Sequence, residues 1–90
     1  MGSINLIAQI EARTETVDAV HELMDRYAEH VLTMDGSERF EVYRDRDRPT
    51  RIVILEQYRD DKAFSEHLGD PENETLNARL GELTRFIQAR

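Results

Sequence analysis

Along this chain the spacing of apolar residues changes from two to three-and-four and back to two, and that switch of period restricts the fold more than any single motif does. The stretch Ile4-Asn5-Leu6-Ile7-Ala8-Gln9-Ile10 puts Ile4, Leu6, Ala8 and Ile10 on one face, which predicts a first strand. From Glu15 to Met34 the apolar positions Val17, Val20, Leu23, Met24, Tyr27, Ala28, Val31 and Leu32 follow the spacing of an amphipathic helix. Thr14 or Thr16 is available as its cap and Gly36 as its stop. Period two returns in Gly36 to Asp45, with Phe40 and Val42 on one face and Glu41 and Tyr43 on the other, and again in Arg51 to Tyr58. Between these strands, Arg46-Asp47-Arg48-Pro49-Thr50 suits a hairpin loop. Asp60-Asp61 caps a short helix carrying Ala63, Phe64, His67 and Leu68, which Gly69-Asp70-Pro71 ends. A further turn or two of helix spans Glu72 to Leu80. After Gly81 a closing strand runs from Leu83 to Ala89, with Leu83, Ile87 and Ala89 on one parity.

The resulting order is βαββαβ, an α+β class chain with the split βαβ arrangement of the ferredoxin-like fold. It predicts a four-stranded antiparallel sheet with both helices on one face. In the run Ile52-Val53-Ile54-Leu55 both strand faces are apolar, so the second face of the sheet also calls for cover. A second copy of the chain is the simplest cover. Two sheets facing one another across a two-fold axis would make a dimeric α+β barrel.

With 90 residues the chain is expected to form one domain over residues 1–90, and so short a chain gains from pairing with a second copy. A net charge of −7 opposes contact with phosphate backbones, so no nucleic acid is expected as partner. The absence of cysteine excludes disulfides, thiolate metal sites and thiol nucleophiles. The longest strongly apolar run is four residues against the ~20 of a membrane span, and the first residues lack a signal-peptide pattern. The expectation is a cytoplasmic homodimer away from membranes.

Three histidines are the side chains that titrate near neutrality without perturbation. His21 and His30 lie nine residues apart, on opposite faces of the long helix, and cannot share an ion. His21 reads as a surface residue and His30 as a rim residue at the edge of the apolar stripe. No metal-binding spacing occurs. His67 has Ala63 and Phe64 at helical spacing, which turns its imidazole toward the sheet. There it is either a satisfied core histidine or a proton acceptor lining a pocket. Glu56 sits on the otherwise apolar strand face Ile52-Ile54-Glu56-Tyr58, where a carboxylate is paired with one of eleven arginines or has a raised pKa. The aromatic residues are mostly needed for packing, and Asp45-Arg46-Asp47-Arg48 reads as a solvated hairpin tip.

The stretch from Glu56 through Tyr58, Asp60-Asp61 and Ala63-Phe64 to His67 resembles the strand-to-helix signature of the antibiotic biosynthesis monooxygenase family. Asp35-Gly36-Ser37 before Phe40-Glu41-Val42-Tyr43, and the opening Ile4-Asn5-Leu6-Ile7-Ala8, resemble that family's helix end, second strand and first strand. The resemblance implies a dimer and a pocket between sheet and helices. It further implies oxidation of a quinol, anthrone or similar small aromatic substrate by molecular oxygen, with no metal, flavin or other cofactor. On this footing His67 is the catalytic base or the hydrogen-bond partner of the substrate oxygen, and Glu56 the carboxylate that orients or tunes it. Tyr58, Phe64 and Tyr27 would flank the ring, with Tyr43 and His30 completing the substrate-binding set. A haem-degrading branch of the same fold uses a tryptophan and a later histidine, and this chain has neither. The same His67 and Glu56 would also suit an isomerase or cyclase, and a non-catalytic ligand-binding dimer is the remaining alternative.

Overall fold

The computed structural model describes residues 2–89, with side chains through Thr84. Strand β1 (Ile4–Ala12) leads into helix α1 (Val17–Val31), then β2 (Ser37–Arg44), β3 (Arg51–Tyr58), α2 (Asp61–Leu68), α3 (Pro71–Leu83) and β4 (Thr84–Ala89). The strands lie in the order β2-β3-β1-β4, each pair antiparallel. β1 and β3 are central and the sheet is open, with β2 and β4 at its edges. This is the α+β ferredoxin-like arrangement that the alternation of periods predicts.

Register explains which residues meet. Ile4, Leu6, Ala8 and Ile10 of β1 stand opposite Tyr58, Glu56, Ile54 and Ile52 of β3. On the other side of β3, Phe40, Val42 and Arg44 of β2 stand opposite Glu56, Ile54 and Ile52. Because alternate residues share a face, these positions form one surface, and Ile10, Ile52, Ile54 and Tyr58 are almost wholly buried beneath the helices. Val20 and Val31 of α1 close over them, as the helical stripe requires. The opposite face carries Ile7, Tyr43, Val53 and Leu55, of which Ile7 and Tyr43 are half exposed.

Several elements differ from the sequence expectation. Helix α1 stops at Val31 rather than Met34, because Thr33 and Met34 bond three residues back, to the His30 and Val31 carbonyls, in tighter turns. Thr16 occupies the N-cap, but its hydroxyl donates to the Leu83 carbonyl at 2.6 Å and does not cap its own helix, so it ties the start of α1 to the end of α3. Helix α3 is a full 13 residues instead of a turn or two. Asp70 caps it, Pro71 takes its first position, and Gly81 is passed without a positive φ. Leu83 therefore ends a helix and does not begin a strand. The parity read for Ile87 and Ala89 falls on side chains outside those described.

The hairpin tip is also not merely solvated. Asp45 Oδ1 accepts from the amides of Asp47 and Arg48, at 2.8 and 3.1 Å, which turns Arg48 back toward the sheet. There Arg48 and Arg51 pair with the buried Glu11 carboxylate at 3.1 and 3.7 Å, and the Thr50 hydroxyl donates to it at 2.6 Å. Among the described residues no helix is long and apolar enough to cross a membrane.

Gly36 joins α1 to β2 at φ +86°, and a methyl group there would lie 2.5 Å from the Ala63 Cβ of α2. Its carbonyl accepts from the Arg59 amide at 2.8 Å, so the turn is braced from both sides of α2. Gly36→Ala is expected to lose roughly 1–3 kcal/mol of stability in urea unfolding, from backbone strain and the clash together. A loss under about 0.5 kcal/mol would show that the α2 contact yields freely.

Candidate functional site

Glu56 and Tyr58 are two residues apart on β3 and so emerge on the same face, the one covered by helices. Glu56 stands in a row across the sheet between Leu6 and Phe40. With apolar neighbours on both sides, the carboxylate has little water, and the Tyr58 hydroxyl donates to its Oε1 at 2.5 Å. No arginine reaches Glu56 among the described residues, so the ion pair considered from the sequence is replaced by a tyrosine. A phenol brings a hydrogen bond without a charge. Burial therefore dominates and holds the Glu56 carboxyl above its ordinary pKa, with the Tyr58 bond opposing in part.

His67 arrives from above. Asp60 caps α2 by accepting from the Ala63 amide at 2.9 Å, which sets the helix phase and puts Ala63 and His67 on its buried side. The His67 carbonyl accepts from the Asp70 amide at 3.2 Å and from the Asn73 side chain at 3.4 Å, anchoring the last turn to α3. His67 Nε2 lies 3.8 Å from Glu56 Oε1, too long for a hydrogen bond. Its Nδ1 is buried with no hydrogen-bond partner among the described residues. The ring is packed against Tyr58 with centroids 4.9 Å apart, against Tyr27 at 6.1 Å, and between Phe40 and Phe64 at 6.3 and 6.5 Å. Burial lowers the His67 pKa; Asp70 opposes this and His30 adds to it. A neutral imidazole beside a carboxyl that resists ionisation can accept a proton at neutral pH.

These groups face a cavity of about 200 Å³. Glu56 and His67 form its polar corner. Leu6, Ile54 and Phe40 from the sheet, with Tyr27 and Met24 of α1, form apolar wall. Phe64 lines it, and so does Tyr27, whose hydroxyl is buried and has no hydrogen-bond partner among the described residues. Three other residues expected to bind substrate lie outside this lining. Tyr58 is wholly buried behind Glu56, because its hydroxyl is turned onto the carboxylate, and is not among the cavity-lining residues. Tyr43 lies on the far face of the sheet, since it has the parity of Val53, and donates to Glu41 at 2.6 Å. His30 sits outside the cavity in the groove between α1 and α3, its Nε2 2.5 Å from Asp70 Oδ2. That contact holds the Asp70 carboxyl below its ordinary range.

Asn73 and Asn77 line the cavity opposite the sheet and were not foreseen. Asn77 donates to the Asn73 side-chain oxygen at 2.7 Å. Their four-residue spacing, already inside the helix expected over Glu72 to Leu80, is the signal that marks them as neighbours on one helix face. Among the described residues no group of three or more histidine and acidic side chains is placed to hold a metal ion.

The family model for antibiotic biosynthesis monooxygenase matches residues 3–79. No curated protein matches the sequence. Among solved structures, the Mycobacterium tuberculosis protein Rv0793 is 25% identical with a TM-score of 0.87, over 99% of this chain and 93% of that one. A Nitrosomonas europaea protein bearing the same family name is 21% identical with a TM-score of 0.93, over 100% of this chain and 88% of that one. A conserved protein of Methanosarcina mazei is 20% identical with a TM-score of 0.89, over 100% and 92%. The two below 25% identity bear on the fold alone.

Because the Glu56 pKa is raised, the protonated acid is the form the fold favours. Its stabilising contribution is complete below the ordinary carboxyl range near about pH 4.3 and is lost as pH rises through the raised value. His67, with a lowered pKa, has the opposite slope, losing stability as pH falls from about 6.5. Glu56→Gln keeps an acceptor for Tyr58 and cannot ionise, so its Tm is expected to exceed the parent's at about pH 8 and to converge with it near about pH 4. A constant difference across that range would mean Glu56 is not held in its acid form.

Proposed function

Since the chain belongs to the antibiotic biosynthesis monooxygenase family, we propose that it oxidises a small phenolic substrate, a quinol or similar ring, with molecular oxygen and without a bound cofactor. The observation that carries this reading is a neutral, unpartnered imidazole at the wall of an apolar cavity. His67 removes the hydroxyl proton of the substrate; the O–H bond breaks, an N–H bond forms, and the electron pair stays on the ring oxygen. The electron-rich ring then reduces oxygen. One oxygen atom bonds to a ring carbon, the other leaves as water, and all four electrons come from the substrate. For a hydroquinone the product is a hydroxyquinone, and for an anthrone methylene it is a carbonyl.

Glu56 positions this chemistry without taking part in the transfer. Burial disfavours its charged form, which lessens repulsion of the developing phenolate. The apolar walls of Leu6, Phe40 and Phe64 orient the ring and keep water away. Cavity size limits the substrate. An engineered cavity of about 150 Å³ accepts benzene, so about 200 Å³ suits one ring with substituents or a compact fused pair. A three-ring anthrone would require α1 and α3 to part.

His67→Gln is expected to lower oxygen uptake with hydroquinones by roughly 10²–10⁴-fold, the contribution of a positioned proton acceptor, while thermal unfolding stays cooperative. Uptake within about twofold of the parent would remove His67 from the base role. If a phenolic ligand is consumed without oxygen uptake, the isomerase or cyclase reading replaces oxidation.

The homodimer belongs to the same proposal. Ile7, Tyr43, Val53 and Leu55 leave an apolar patch on the sheet face away from the helices, and a second sheet laid there would build the barrel. Ile7→Lys places a charge in that patch and is expected to convert a dimer to a monomer in sedimentation equilibrium. An unchanged dimer would move the interface elsewhere.

A further inference from the structure

Two residues that line the cavity each carry a buried polar atom with no hydrogen-bond partner among the described residues, the Tyr27 hydroxyl of α1 and Nδ1 of His67 on α2. Each residue is more than nine-tenths buried, both line the same cavity, and their rings lie 6.1 Å apart at an angle of 47°. Buried groups of this kind are normally satisfied, and leaving one unpaired is costly, so two in one cavity mark a place built for a polar guest. The neighbouring polar groups each hold one bond already: Glu56 Oε1 accepts from Tyr58, the Asn77 amide donates to Asn73 Oδ1, and the Asn73 amide donates to the His67 carbonyl.

The two free atoms are complementary. A phenol hydroxyl such as that of Tyr27 has a proton to give, and burial, reinforced by Asp70, Glu56 and Glu72, pushes its pKa up, so it remains a donor across the working pH range. A neutral imidazole nitrogen can accept. A hydroxyl group, of water or of a ligand that displaces it, answers both, since it accepts from one neighbour and donates to the other. An ether or carbonyl can only accept, and an ammonium can only donate.

We propose that Tyr27 and His67 together form a hydroxyl-binding pair, in which the ligand's aromatic hydroxyl accepts from the Tyr27 O–H and donates to His67 Nδ1. The proposal rests on the reading of His67 as proton acceptor and adds Tyr27 as a second group touching the reacting oxygen. When the proton passes to the imidazole, the Tyr27 O–H remains aimed at the oxygen where negative charge develops, and the bond strengthens as the charge grows. Tyr27 is thereby a specificity residue for hydroxylated rings as well as a catalytic one. Before a ligand enters, its hydroxyl is an uncompensated burden on the fold.

That combination gives a signature that packing alone would not produce. Titration calorimetry under nitrogen, with 1-naphthol and naphthalene as probes, separates recognition from oxidation. The parent protein is expected to bind naphthol roughly tenfold more tightly than naphthalene. Tyr27→Phe should weaken naphthol roughly five- to tenfold and leave naphthalene within about twofold. The ligand-free Tyr27→Phe protein should unfold at the parent's Tm or above it, because a buried unpaired hydroxyl has been removed. Equal affinity for the two probes, failure of both to bind, unchanged naphthol affinity in the variant, or a lowered Tm would each overturn the proposal. Oxygen uptake does not enter this test, so a protein that bound naphthol through Tyr27 yet oxidised no quinol would retain the hydroxyl-binding pair and lose the monooxygenase reading.

Discussion

A carboxylate set into an apolar row of a β-sheet is the constraint around which the rest of this protein is arranged. Glu56 faces Leu6 on one side and Phe40 on the other. Such a position is costly for charge and tolerable only with a hydrogen bond, which Tyr58 supplies two residues along the same strand. Everything above that row follows its polarity. His67 lies over Glu56, 3.8 Å away and not hydrogen-bonded to it, and four aromatic rings hem the imidazole in. The result is a polar corner with little charge of its own. Such a corner can receive a proton and leave the negative charge on a guest.

The three helices divide the labour of holding that corner. α2 presents His67 from its last turn, and the phase of that turn depends on the Asp60 cap and on the Gly36 turn packed against Ala63. α3 receives the His67 carbonyl through Asn73 and the Asp70 amide. α1 contributes Tyr27, and His30 on the same helix binds Asp70 at the start of α3. The His30–Asp70 contact thus links α1 to the α2–α3 turn just outside the cavity. Glu11, clamped by Arg48, Arg51 and Thr50, performs a comparable task at the opposite end of the sheet, where it fixes the hairpin to β1 and takes no part in the cavity.

Local pattern made most of the architecture legible. Period-two and helical spacing located six of the seven elements closely, and parity alone put Glu56 and Tyr58 on the same strand face as Ile52 and Ile54. The same reasoning aimed His67 inward. It falls short where side-chain direction decides. An aromatic residue on an inner face suggests a ring wall, yet the Tyr58 hydroxyl turns onto Glu56, its neighbour on the same strand face. Tyr43 shares the parity of Glu41, opposite to Phe40 and Val42, which places it on the sheet face away from the cavity. The extent of α3 was hidden by Gly81, which reads as a stop but is carried through by packing of Leu76 and Leu80 into the core.

The sequence by itself determined the order of strands and helices, the face each strand presents, and the placement of one histidine and one carboxylate on facing elements, because those depend on spacing between near neighbours. Only the tertiary structure decided which polar groups are spent on one another and which remain free. Hydrogen bonds between Glu56 and Tyr58, between His30 and Asp70, and between Asn77 and Asn73 use up groups that a sequence presents as equals. What is left over, the hydroxyl of Tyr27 and a nitrogen of His67, is a remainder after pairing. Such a remainder depends on three-dimensional distances among α1, β3, α2 and α3, which no spacing along the chain encodes.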